Sequence, residues 1–102
     1  MSERLNIHLT EVGPRDGLQN EPAILSTKAK IDMVNALSSS GLPEIETSSF
    51  VRSDVVPQLA DAAEVFKGIT RAPGVVYSAL VPNMRGLERA MEAGVMKIGV
   101  FT

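Results

Sequence analysis

Residues able to do chemistry gather in three short stretches: Arg15, Asp16, Gln19, Asn20 and Glu21; Glu46, Thr47, Ser48 and Ser49; and Asn83. An arginine beside an aspartate beyond a strand end could supply a fixed cation for a developing oxyanion and a hard oxygen ligand for Mg2+ or Mn2+. From spacing alone the pair reads more readily as no more than the cap of a surface turn. Glu46 alternates with Ile45 on a short strand, which suits a lumen-facing or edge position. Glu11 is similar and stays outside the core catalytic set. Asn83 reads as a cap for the helix that follows it. His8 is the sole histidine and has no partner at ligand spacing, so a packing or surface role fits it better than metal binding. The absence of cysteine excludes a disulfide framework, thiolate metal sites and a cysteine nucleophile within these residues, and it fits a reducing, cytoplasmic setting.

The elements that must position these groups follow from periodicity. Ile7 to Val12 is apolar and β-branched, and Gly13-Pro14 stops it as a first strand. Ser26 is a good N-cap for a helix to about Ser40, with Ile31, Val34 and Leu37 on one face and Gly41 as its C-cap. Glu44 to Thr47 reads as a second strand leading into a Ser48-Ser49 loop. Pro57 opens a helix to about Lys67 whose stripe is Leu59, Ala62, Ala63 and Phe66. Val75 to Val81 is a third strand, followed by a helix carrying Leu87, Ala90 and Met91 and closed by Gly94. Met96 to Phe101 is a fourth strand, and Met91 and Met96 read as core filler.

The order β-α-β-α-β-α-β implies an α/β fold with parallel pairing. Both an open doubly wound sheet and a (β/α)8 barrel fit it, and both place reacting groups at the carboxyl ends of strands. A complete barrel typically takes ~250 residues, so the 102 residues form either a small open sheet or part of a barrel. With 44% hydrophobic and 22% charged residues they amount to one globular unit. The 10 basic and 12 acidic residues give a net charge of -2, which leaves no basic surplus for nucleic acid or an anionic membrane. No apolar run approaches the ~20 residues needed to span a bilayer.

The run Glu11-Val12-Gly13-Pro14-Arg15-Asp16-Gly17-Leu18-Gln19-Asn20-Glu21 resembles the opening signature of the hydroxymethylglutaryl-CoA lyase family. The resemblance continues, in order, through Ile45 to Val51, Val56-Pro57-Gln58, Pro82-Asn83 and Val100-Phe101-Thr102, nearly the whole chain. Pro14 with Leu18 to Glu21 separates it from the related Claisen-type synthases. What it implies is a partial TIM (β/α)8 barrel of about three and a half βα units, residues 1–102 being the N-terminal portion of a single lyase domain. The implied reaction is metal-dependent retro-Claisen cleavage of 3-hydroxy-3-methylglutaryl-CoA to acetoacetate and acetyl-CoA, the acyl-CoA being the substrate and a homo-oligomer, a dimer, the assembly. By the same resemblance Asp16 is a ligand of Mg2+ or Mn2+, Arg15 the enolate-stabilising cation that meets substrate, Glu46 a catalytic carboxylate, and Gln19 and Ser49 substrate-binding groups.

Members of that family take their remaining metal ligands from a His-x-His segment and an Asn on later strands, and they carry a Cys on a glycine-rich loop. These 102 residues contain no such segment, so they are expected not to catalyse alone, nor to persist as a monomer with strands one and four uncovered. The stretch Arg52-Ser53-Asp54-Val55 also departs from the family's Ser-Pro-Lys-Trp type. Two other readings stand beside the lyase: a non-catalytic remnant acting as an oligomeric binding module, and a related aldol-type lyase acting on another acyl-CoA.

Overall fold

Seven regular elements alternate between strand and helix in the computed structural model, which describes residues 8–20, 23–52 and 56–100. They are β1 (Thr10–Glu11), α1 (Thr27–Ser38), β2 (Glu44–Ser49), α2 (Ala62–Gly68), β3 (Val76–Leu80), α3 (Met84–Glu92) and β4 (Lys97–Gly99). The strands form one sheet in the order β1-β2-β3-β4, and every pair is parallel. That order settles the choice between the two parallel folds. A doubly wound sheet reverses direction at a switch point, whereas strands adjacent in the chain and adjacent in the sheet are the arrangement of a (β/α)8 barrel wall.

Local chemistry accounts for the helix ends. Ser26 Oγ accepts from the Ala29 N–H at 3.1 Å, and Asn83 Oδ1 accepts from Gly86 N–H at 2.8 Å, each satisfying a donor that the first helical turn leaves over. Gly41 and Gly94 follow α1 and α3 with φ of +88° and +78°, the left-handed conformation expected there.

Alternation divides the sheet into two faces. Ile45, Tyr77 and Ala79 point to the helices and join Val34, Phe50, Val65 and Phe66 in the buried core. The Phe50 and Phe66 rings stack with centroids 5.8 Å apart. The buried Tyr77 hydroxyl is shared with Ser38 Oγ at 2.7 Å and accepts from the Ala72 N–H at 2.9 Å. Gly68 lets α2 close onto α1, since a Cβ there would sit 2.3 Å from Ile31 Cδ1. Between the same two helices the buried Lys30 ammonium donates to Asp61 and to the Gln58 carbonyl. Glu44, Glu46 and Ser78 occupy the opposite, inner face.

Several expectations need correction. Ser48 and Ser49 are not a loop but the end of β2, because a register irregularity between Glu46 and Ser48 absorbs one residue and the ladder resumes at Ser48↔Ala79 and Ser49↔Leu80. The helix expected from Pro57 to Lys67 is a short 3-10 turn, Pro57–Leu59, followed by a separate α2. Strand one is two residues long within the described part, and Ile7 lies outside it, as does Phe101 of strand four. Met91 and Met96 are not core filler, being 70% and 66% exposed. The buried stripe of α3 is Gly86 and Ala90, with Leu87 beside it, and Met91 falls on its flank.

Candidate active site

The signature stretch leaves β1 and folds into one π-helical turn, Gly13–Gly17. Its geometry follows from a single acceptor. The Val12 carbonyl takes the N–H groups of Arg15 at 3.1 Å, Asp16 at 2.6 Å and Gly17 at 3.4 Å, which winds five residues around one oxygen. The Glu11 carboxylate accepts from the Gly13 N–H at 3.0 Å and fastens the entry of the turn. Pro14 is buried within it. The turn packs on β2 and presents Arg15 to the inner face.

Arg15 is the hub. Its Nε donates to Glu46 Oε1, while Nη1 donates to Asp16 Oδ1 at 3.3 Å and to Gln19 Oε1 at 3.4 Å. The Arg15 and Glu46 side chains are only 18% and 16% exposed, so this charge-assisted pair is partly shielded from water and holds the guanidinium in one orientation. Asp16 is 53% exposed, and Asn20 Nδ2 donates to its backbone carbonyl at 2.9 Å. Four of the five sequence-predicted site residues therefore meet in one cluster. Ser49 does not join it; it lies on the Glu46 face, and its hydroxyl donates to the Leu80 carbonyl at 3.0 Å.

The cluster can hold a cation fixed at the carboxyl end of the sheet, where negative charge developing on a substrate oxygen would meet it. It does not by itself make a cation site. Among the described residues no three His, Cys, Asp or Glu side chains converge, and a hard divalent ion needs several oxygens.

A second ionic group at the amino end of the strands was missed by sequence reasoning. Glu44, whose side chain is 5% exposed, accepts from Lys97 Nζ at 2.8 Å and pairs with His8 Nε2 at 2.7 Å. Burial alone would raise its pKa, but hydrogen bonds from Lys97, Ser78 and His8 together with the Lys97 charge outweigh that and hold it down at about 2. The signal was available in the β2 alternation, which puts Glu44 on the Glu46 face. Its partners come from 36 and 53 residues away and could not be read locally. Among the described residues no helix is long and apolar enough to cross a membrane.

The HMGL-like family model matches residues 6–102. A cytoplasmic 3-hydroxy-3-methylglutaryl-CoA lyase of Rattus norvegicus is 55% identical over 95 residues, which are 93% of this chain and 28% of that protein. A 3-hydroxy-3-isohexenylglutaryl-CoA/hydroxymethylglutaryl-CoA lyase of Pseudomonas aeruginosa is 53% identical over 93% of this chain and 32% of its own length. The structure of an HMG-CoA lyase from Acinetobacter baumannii, in complex with coenzyme A and 3-methylmalate, superposes with a TM-score of 0.90 at 45% identity, covering 91% of this chain and 30% of that one. The chain thus spans less than a third of the length of these relatives, and its fold is part of their barrel. With the family model covering all but its first five residues, the chain belongs to the HMGL-like family.

Proposed function

We propose that residues 1–102 are the N-terminal portion of a barrel lyase domain that cleaves 3-hydroxy-3-methylglutaryl-CoA to acetoacetate and acetyl-CoA, and that they supply its enolate-stabilising cation. In such a cleavage the tertiary alkoxide collapses to a ketone, the carbon-carbon bond breaks, and the electron pair becomes the enolate of acetyl-CoA. Negative charge therefore grows on the thioester oxygen. In this reading Arg15 stabilises that charge, supported by its contacts to Glu46 and Gln19, which fix the direction of its guanidinium, and Ser49 lines the same face. Asp16 offers one oxygen to a Mg2+ or Mn2+ completed by ligands beyond these residues, an ion that would add positive charge at the substrate oxygens. A cytoplasmic homo-oligomer accompanies this reading, supported by the word cytoplasmic in the rat relative's name and by the family resemblance alone.

The observation that carries the proposal is the Arg15–Glu46 pair, which joins the signature turn to β2 within a matched family motif. The test is a chimera in which this chain replaces the matching segment of the Pseudomonas relative. The chimera is expected to release acetoacetate from the substrate while the chain alone releases none; a folded but inactive chimera overturns the proposal. The two acyl groups in that relative's name favour a second reading, a lyase acting on a longer 3-hydroxyglutaryl-CoA. Comparing both substrates in the chimera separates the two.

A further inference from the structure

Glu11 ends β1 with a half-buried carboxylate to which the chemistry above assigns no part. The ladder says which way it points. Glu11 stands opposite Ile45 in the parallel β1–β2 register, and paired side chains share a face of the sheet. Ile45 is buried in the core under the helices, so Glu11 lies on the helix side of β1 and not in the lumen-facing position that Glu46 takes. The contacts agree. Its Oε2 accepts from the Gly13 N–H at 3.0 Å, and a Cβ on Gly13 would stand 3.2 Å from that oxygen and 3.4 Å from Cε of Met33 on α1.

The turn that carries Arg15 hangs on few supports. Pro14 has no N–H to give, the N–H groups of Arg15, Asp16 and Gly17 converge on the Val12 carbonyl, and that of Leu18 goes to the carbonyls of Gly13 and Arg15. The Gly13 N–H goes instead to a side chain, and a carboxylate acceptor makes that bond charge-assisted, roughly twice as strong as a neutral one. Beyond the turn's entry, the Arg15 Nε donates to Glu46 on β2. The guanidinium is thus set from two neighbouring strands, by one carboxylate that touches it and one that reaches it through the backbone.

We infer that Glu11 is a positioning residue for Arg15: through the Gly13 N–H it fixes the entry of the turn and with it the place of the guanidinium at the carboxyl end of the sheet. Lying behind the turn, it does not meet substrate. The inference deepens the lyase reading and rests on it for the chemistry that Arg15 performs. Precision of this kind matters to a charge-stabilising group, since a displacement of about 1 Å can cost about 10²-fold in rate.

The test uses the chimera. Glu11→Ala, which removes the carboxylate, and Glu11→Asp, which draws it back by one methylene, are each expected to lower kcat about tenfold with KM changed by less than about twofold. Glu11→Gln keeps an acceptor oxygen at the same reach and is expected to recover most of that loss. In an Arg15→Met background Glu11→Ala is expected to cost nothing further, because the group it positions is gone. An equal cost in both backgrounds, or normal kcat in both Glu11→Ala and Glu11→Asp, overturns the proposal. A second readout is independent of turnover. In 15N spectra the Arg15 Nε–H is expected to exchange with water several-fold faster in Glu11→Asp, while the backbone N–H of the buried Tyr77 exchanges as before; equal acceleration at both positions, or none at Arg15, overturns the positioning role. A chimera that folds but releases no acetoacetate fails the lyase reading, and the exchange at Arg15 then decides this inference alone.

Discussion

Glu44 and Glu46 lie two residues apart on one face of one strand, and their surroundings differ in kind. Glu44, at the amino end, is nearly sealed from water and sits among Lys97, His8 and Ser78, drawn from β4, the residues before β1, and β3. Glu46 faces a single guanidinium that comes from the signature turn and is itself shared with Asp16 and Gln19. The amino-end carboxylate is saturated and ties strands together; the carboxyl-end one orients a cation whose remaining capacity points outward. The same residue type thus clamps the wall at one end of the strand and, in the proposed reading, aims chemistry at the other, the division of labour that parallel barrels show between their two rims.

The sharpest way to break this contrast is acid. A carboxylate with a pKa of about 2 in the folded chain and near the ordinary 4.5 in the unfolded one stabilises the fold fully above about pH 4.5, and that contribution is lost as pH falls from 4.5 towards 2. Denaturant unfolding of the chain and of Glu44→Gln should therefore differ most near neutrality and converge on acidification; a gap independent of pH would remove Glu44 from the clamp role. Next in size, Arg15→Met in the chimera should lower kcat by roughly 10²-fold with little change in KM, because the cation acts once the enolate forms. Near-normal turnover would return Arg15 to a turn-capping residue. Asp16→Ala should cost about tenfold in activity, part of it recovered by raising Mg2+ or Mn2+, and none recovered in Arg15→Met. The smallest effect is expected for Ser49→Ala, about 1 kcal/mol of stability for the hydrogen bond to Leu80. A large fall in turnover there would show that Ser49 meets substrate as well.

The order of elements was legible because α1 and α3 announce their starts through Ser26 and Asn83 and their ends through Gly41 and Gly94. The Arg15–Asp16 pair was legible as chemistry, but its tie to Glu46 was not, since 31 residues separate them and only the turn around the Val12 carbonyl turns Arg15 inward. Met91 misled because apolar character at helical spacing does not distinguish the centre of a stripe from its flank. The α2 region misled for a different reason: Pro57 starts a helical turn well, yet the Lys30 contacts to Gln58 and Asp61 hold that segment apart from the helix proper.

The irregularity in β2 acts as a one-residue phase change. Strict alternation from Glu46 would send Ser49 towards the helices and Phe50 into the lumen. With one residue absorbed before Ser48, Ser49 shares the side of Glu46, and Phe50 turns the other way to meet Phe66 and carry Arg89 on its ring. A strand of six residues thereby serves two masters, a polar site and an apolar core, that simple parity would force it to confuse.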